Sequence, residues 1–208
     1  LAFQPGSQFR YSVATDVLAH VIEKATGERL DDLLREHLFE PLQMQDTGFC
    51  ITPDQQDRLM PMFGVSRLSD LSPMNPPLEQ TLTAVDVEGM YPAANSNFRR
   101  GGHGLFSTTS DYLKFATMLL DGKTVSGEVI LSRTMLKMMQ ANRIPEHQLP
   151  LKIGLGPLPG YGWGLTGRVM LDTGQAMSLT NNGEFGWSGA AATYFWVDPA
   201  ASMVGVIM

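Results

Sequence analysis

The residues with chemistry to offer gather in two places. Tyr11 lies in a short semi-extended run, Phe9-Arg10-Tyr11, just ahead of a helical pattern, and Gly186-Trp187-Ser188-Gly189-Ala190 opens a strongly β-prone segment. A phenol can carry a proton to or from a reacting group. A strand that begins with Ser188, Gly189 and Ala190 has a bare backbone whose N–H groups can face a substrate carbonyl, which is half of an oxyanion hole. The same small residues also suit a glycine bulge beside a packed hairpin, so both readings stand at this level. Ser188 does not read as a nucleophile of the Gly-x-Ser-x-Gly elbow type. That turn needs a helix after the serine and a histidine downstream. Here the residues after Ser188 read as strand, and His20, His37, His103 and His147 all precede it.

The remaining reactive side chains point elsewhere. His20 and His37 fall inside helical patterns without a second ligand at metal spacing, so they read as ordinary helical residues and no metal or cofactor is implied. The lone Cys50 excludes an internal disulfide and reads as a small buried apolar residue. Gly101-Gly102-His103-Gly104 precedes a helix but lacks the Gly-Lys-Ser/Thr ending of a phosphate cradle, which leaves a turn or a close backbone approach.

These groups need elements to hold them. Ser12 reads as the cap of a helix whose stripe is Ala14, Val17, Leu18, Val21 and Ala25, stopped by Gly27. Leu30, Leu33, Leu34 and Leu38 continue as a second helix that must end before Pro41. Between Pro53 and Arg100 the periodicity fades among five prolines, which fits either a lid or binding loop or plain irregular surface. Tyr112, Phe115, Ala116, Leu119 and Leu120 form one stripe of a helix with Ser110 as its expected cap, and Ser132 caps a shorter one. Pro145 to Pro159 reads as irregular. From Tyr161 onward the chain turns strand-like, ending in a hairpin whose first strand starts at Ser188-Gly189-Ala190 and whose second is Met203–Met208, about Asp198-Pro199. The expectation is an α+β chain: a mainly helical portion with irregular loops over 1–160, then antiparallel strands over 161–208.

Composition supports a folded chain and narrows its partners. Of 208 residues, 43% are apolar and 17% charged, against a usual charged share of about 25%. The formal charge is −6 with no basic run, which weighs against nucleic acid and anionic membranes. No apolar run approaches the roughly 20 residues of a membrane span. The chain opens on Leu1, so a preceding or removed segment is expected, and localisation is not readable from this end.

Four stretches in collinear order carry a family resemblance: Phe9 to Leu18, Phe39 to Phe49, Gly101 to Thr108, and Trp187-Ser188-Gly189. Together they resemble the serine β-lactamase-like and penicillin-binding-protein superfamily, closest to class C β-lactamase-related enzymes and family VIII carboxylesterases. The resemblance implies a β-lactamase/transpeptidase-like fold and acyl-enzyme chemistry. It implies Tyr11 as the catalytic tyrosine, Trp187-Ser188-Gly189 as the substrate-binding strand, the N–H of Ala190 as an oxyanion donor, and Gly102 and His103 beside the substrate. The family's Ser-x-x-Lys is absent. None of Lys24, Lys114, Lys123, Lys137 and Lys152 has a serine three residues before it, so the nucleophile is expected in an upstream segment and no turnover is expected from these residues alone.

Two departures bear on substrate. Val13 stands where the family's second motif has Asn, removing an amide that would bind substrate. Trp187 stands where lactamases carry lysine, removing a cation that favours phenolate and could hold a carboxylate. Both point to a carboxylesterase on small neutral esters. The alternatives are a β-lactamase or D-Ala-specific peptidase, and a penicillin-recognising module without turnover.

Overall fold

The structure, a computed structural model, describes residues 2–11, 13–64, 83–85, 99–153, 156–189 and 191–208. The helical pattern after Tyr11 becomes α1 (Ala14–Thr26), closed by Gly27 at φ 78°, a left-handed conformation that glycine adopts without a Cβ clash. Glu23 Oε1 accepts the Leu30 amide at 2.9 Å, which turns the next helix, α2 (Leu30–Leu34), back onto the end of the first. A π-helical turn, Arg35–Phe39, extends α2 and stops before Pro41. Two further helices follow the glycine-rich loop: α3 (Thr109–Asp121) and α4 (Arg133–Gln140).

Short antiparallel pairs join β1 (Met62–Gly64) to β2 (Thr83–Val85) and β3 (Leu151–Ile153) to β4 (Gly156–Leu158). The main sheet is antiparallel, with five strands in chain order: β5 (Tyr161–Trp163), β6 (Arg168–Met170), β7 (Phe185–Ser188), β8 (Tyr194–Asp198) and β9 (Met203–Ile207). A four-residue helix, α5 (Thr173–Ala176), lies between β6 and β7. Register explains the sheet's buried face. Val169 pairs with Phe185, Phe185 with Val197 and Trp187 with Phe195, so these side chains share one side. Val169, Phe185, Phe195 and Val197 pack with Ala116, Met118 and Leu119 of α3 and with Phe39, Leu42 and Met44 in a single core. Phe185 is fully buried; burial of a side chain of that size is worth about 1.5–3 kcal/mol. Helices on one side of an antiparallel sheet are the α+β arrangement the sequence implies.

Several expectations change on contact with the structure. The residue capping α1 is Val13, without a side-chain hydrogen bond; Ser12 lies outside the described residues. Thr108, not Ser110, caps α3, because its hydroxyl accepts the Asp111 amide at 3.2 Å while Ser110 is already helical. Of α1 only Ala19 is buried, and Val17, Leu18 and Val21 are more than half exposed, so the stripe read from periodicity does not face this core. Cys50 is exposed, since its chain neighbour Phe49 takes the buried position beside it. The Pro145–Pro159 stretch, read as irregular, contains the β3–β4 pair, whose three-residue strands are too short to show periodicity. Most of the Pro53–Arg100 stretch lies outside the described residues.

Candidate active site

Tyr11 lies three residues before the start of α1, and Trp187 is the third residue of β7. The fold brings them together across 176 positions: the Trp187 indole N–H donates to Tyr11 Oη at 3.0 Å, and their rings lie 5.2 Å apart. A tyrosine hydroxyl has one proton to give and two lone pairs to accept with. With one lone pair held by the indole, the proton and a second lone pair remain free for chemistry. Tyr11 is half exposed, so the phenol is reachable. Because the only polar atom of Trp187 is engaged by Tyr11, what the indole leaves for a substrate is ring surface.

Two aromatic residues that sequence reasoning missed complete this group. Trp163, the last residue of β5, meets Trp187 edge-on at 4.6 Å and Tyr11 at 5.8 Å, and Phe9 lies 5.5 Å from Trp163. Such offset and edge contacts suit the ring quadrupoles. The one available signal was Gly162-Trp163-Gly164, a large ring between two residues with no side chain.

Ser188 ends β7 instead of beginning a strand, because the chain turns between Gly189 and Thr193; it is exposed and pairs in register with Tyr194. Gly189 donates its N–H to the Thr193 carbonyl at 2.8 Å, and a Cβ there would fall 2.3 Å from Thr193 Oγ1, so a larger residue would require that hydroxyl to turn away. Ala190 lies outside the described residues. The glycine loop lies beside the start of α1. A Cβ on Gly101 would fall 2.1 Å from the Thr15 carbonyl oxygen, so the loop's backbone lies against the helix's first turn. The Gly102 N–H donates to Asp16 Oδ1 at 3.0 Å, and Arg100 donates to His103 Nε2. Close backbone approach is therefore the reason for Gly101, while Gly104 has a φ of 102°, which L side chains rarely adopt.

The loop is anchored at both flanks. Arg99 donates to Asp31 Oδ2 at 3.0 Å and lies over the Phe49 ring. Phe106 and Gly48 exchange backbone hydrogen bonds at 2.8 and 3.0 Å. Buried Asp111 accepts from the Asp46 amide, Thr47 Oγ1 and Lys114 Nζ, tying residues 46–48 to α3. Among the described residues no group of three or more His, Cys, Asp or Glu could hold a metal ion, and no helix is long and apolar enough to cross a membrane.

Comparison with known proteins matches this architecture. The Beta-lactamase family model covers residues 1–208, and the chain belongs to that family. Protein Rv1367c of Mycobacterium tuberculosis (strain ATCC 25618 / H37Rv) is 31% identical over 208 residues, covering 98% of this chain and 49% of that protein. Lovastatin esterase of Penicillium rubens is 27% identical, over 99% of this chain and 51% of its own length. Among solved structures, EstCE1, a hydrolase with promiscuous acyltransferase activity, has a TM-score of 0.76 at 25% identity over 98% of this chain and 51% of its own. A variant of simvastatin synthase LovD from Aspergillus terreus shares the fold, with a TM-score of 0.80 at 22% identity over 100% and 51% of the two chains. The chain thus spans about half the length of the relatives it matches. It is part of a β-lactamase-fold serine hydrolase family with esterase and acyltransferase members.

Proposed function

We propose that this chain supplies the tyrosine and strand side of the acyl-transfer site in a carboxylesterase acting on small neutral esters. The observation that carries the reading is the Trp187–Tyr11 hydrogen bond, which holds the phenol oxygen beside an apolar ring; by resemblance to lactamases, a carboxylate-binding lysine would stand at that position. The nucleophile is assigned to a Ser-x-x-Lys segment beyond these 208 residues, in keeping with relatives about twice as long.

In this reading the serine oxygen attacks the acyl carbonyl as its proton passes to Tyr11 Oη while the phenol's own proton passes on to the neutral amine of the lysine in the Ser-x-x-Lys segment, and the oxyanion is held by backbone N–H groups, that of Ala190 among them. Collapse of the tetrahedral intermediate breaks the bond to the alcohol oxygen, and Tyr11 returns the proton to it. Water then repeats the sequence on the acyl-enzyme, with Tyr11 taking its proton. Phe9, Trp163 and Trp187 offer apolar surface to the uncharged part of the ester.

The test compares kcat/KM for p-nitrophenyl butyrate and nitrocefin in the protein that carries this chain with its Ser-x-x-Lys segment. The ester is the expected substrate, and Tyr11→Phe is expected to lower kcat by about 10²–10⁴, the usual span of acid–base catalysis, with the fold retained. A wild-type preference for nitrocefin would replace the esterase reading with a lactamase one. Near-normal turnover by a folded Tyr11→Phe protein would remove Tyr11 from the catalytic role.

A further inference from the structure

The backbone at Trp163 is fixed from several directions. Its N–H donates to Asn142 Oδ1 at 3.0 Å, and its carbonyl accepts the Arg143 amide at 2.7 Å, so the end of β5 is pinned to the chain leaving α4. Its neighbours hold that position by being glycine. A Cβ on Gly162 would lie 2.4 Å from Asn142 Oδ1, and one on Gly164 would lie 2.5 Å from the Met139 carbonyl oxygen. The segment is thus seated directly on residues 139–143, and the one side chain it presents between two bare positions is the indole of Trp163. That indole reaches three other rings at once: Trp187 at 4.6 Å, Phe9 at 5.5 Å and Tyr11 at 5.8 Å. The hydrogen bond that places the Tyr11 oxygen comes from one of those same rings. A pinned backbone fixes the ring's position more firmly than a loop would, which is what a wall of a binding site requires.

We propose that Trp163 is a specificity-determining residue: its indole, in contact with the rings of Tyr11 and Trp187, sets the size of the apolar substituent an ester may carry next to the reacting carbonyl. This rests on the esterase reading above. The chemistry it recognises is an uncharged hydrocarbon group, on the acyl or the alcohol side. Rings in edge and offset contact give largely apolar surface without a charge, and the N–H of Trp187 is already taken by Tyr11. Removing the indole opens room for several methylenes. Each methylene moved from water into apolar surroundings is worth roughly fourfold in binding, so two or three correspond to a factor of about ten or more.

The experiment measures kcat/KM in the protein that carries this chain with its Ser-x-x-Lys segment, for p-nitrophenyl acetate, butyrate and octanoate and, separately, for ethyl, butyl and octyl acetate. Trp163→Ala is expected to raise the octanoate-to-acetate ratio by about tenfold or more if the wall faces the acyl group, or the octyl-to-ethyl ratio if it faces the alcohol. Trp163→Phe keeps a ring but shortens it, and is expected to shift the same ratio by about threefold. It carries the test should the alanine variant not fold. Parallel losses on every ester in folded variants, with both ratios within twofold of wild type, would make Trp163 a packing residue only and overturn the inference while leaving the esterase reading intact. A wild-type protein that hydrolyses none of these esters would overturn both.

Discussion

The hydrogen bond from Trp187 to Tyr11 is a neutral one, and such bonds contribute about 0.5–1.5 kcal/mol. That magnitude sets the first expectation. Trp187→Phe keeps an aromatic ring beside Tyr11 and Trp163 but removes the donor, so in an active protein kcat should fall about three- to tenfold while KM for a neutral ester changes little. Trp187→Ala, which also removes the ring surface, should raise KM as well. Steady-state kinetics on p-nitrophenyl butyrate separates the two effects, and a Phe variant with unchanged kcat would deny the hydrogen bond a part in positioning the phenol. At this scale the sequence was informative unevenly. Tyr11 and Trp187 stand in recognisable motifs and could be singled out, but nothing in a linear pattern places the two in contact across 176 residues. Trp163 carries no motif that singles it out, and only the ring contacts with Trp187, Tyr11 and Phe9 show where its indole goes. Gly102 was noticed as a candidate for the substrate side, whereas its N–H is engaged by Asp16.

Among elements, the glycine loop and the first two helices form one unit. The loop meets α1 at Asp16 and α2 at Asp31, one hydrogen bond on each flank of Gly101. Arg29 is the main cause that holds the Asp31 carboxyl down to about 2, against the opposing effect of burial, and Arg99 adds to it. The two partners are not equal in consequence. Arg29 is 56% exposed and its pairing is screened by solvent and salt, while the Arg99 side chain is only 8% exposed and has its charge answered by Asp31. A depressed carboxylate pKa contributes stability that is fully present above the unfolded value of about 3.9 and is lost as pH falls through the folded value. Stability should therefore drop between about pH 4 and pH 2. Asp31→Asn should be less stable at pH 7, since it removes the carboxylate that pairs with both Arg29 and buried Arg99, and should show a flatter profile across that window. Urea midpoints measured from pH 2 to pH 7 test this, and parallel profiles for the two proteins would show that Asp31 is not the group responsible. The helix ends were legible for a physical reason: Gly27 and Gly122 adopt the left-handed conformation expected of them, at φ 78° and 83°. The start of α3 was misplaced by two residues because Thr108, Thr109 and Ser110 are all able cap residues and only the backbone conformation chooses among them.

For the molecule as a whole, the decisive question is which apolar stripe faces the core. The α3 stripe and the strand alternation were legible because their apolar residues meet: Ala116 and Leu119 lie against Phe185, Phe195 and Val197, and register puts those strand residues on one face. The α1 stripe has equally good helical spacing, yet Val17 is 60% exposed and Phe185 is 0%. Periodicity reports that a helix has an apolar side; it does not report what lies opposite. The difference can be measured directly in the 208-residue chain. Phe185→Ala removes a side chain that joins the helical layer to the sheet two residues before Trp187, and should lower stability by about 3–5 kcal/mol, as buried aromatic truncations do. Val17→Ser exchanges a residue on an open helix face and should change stability by no more than about 0.5 kcal/mol, the range of ordinary surface substitutions. Urea denaturation of both variants gives the comparison. If Val17→Ser costs as much as Phe185→Ala, then α1 contributes to the core of this chain and the packing of helices on the sheet is wider than α3 and the Phe39–Met44 turn. If Phe185→Ala proves mild, the sheet and the helices are not held by the core described, and the placement of Trp187 against Tyr11 must depend on the aromatic contacts around Trp163 instead.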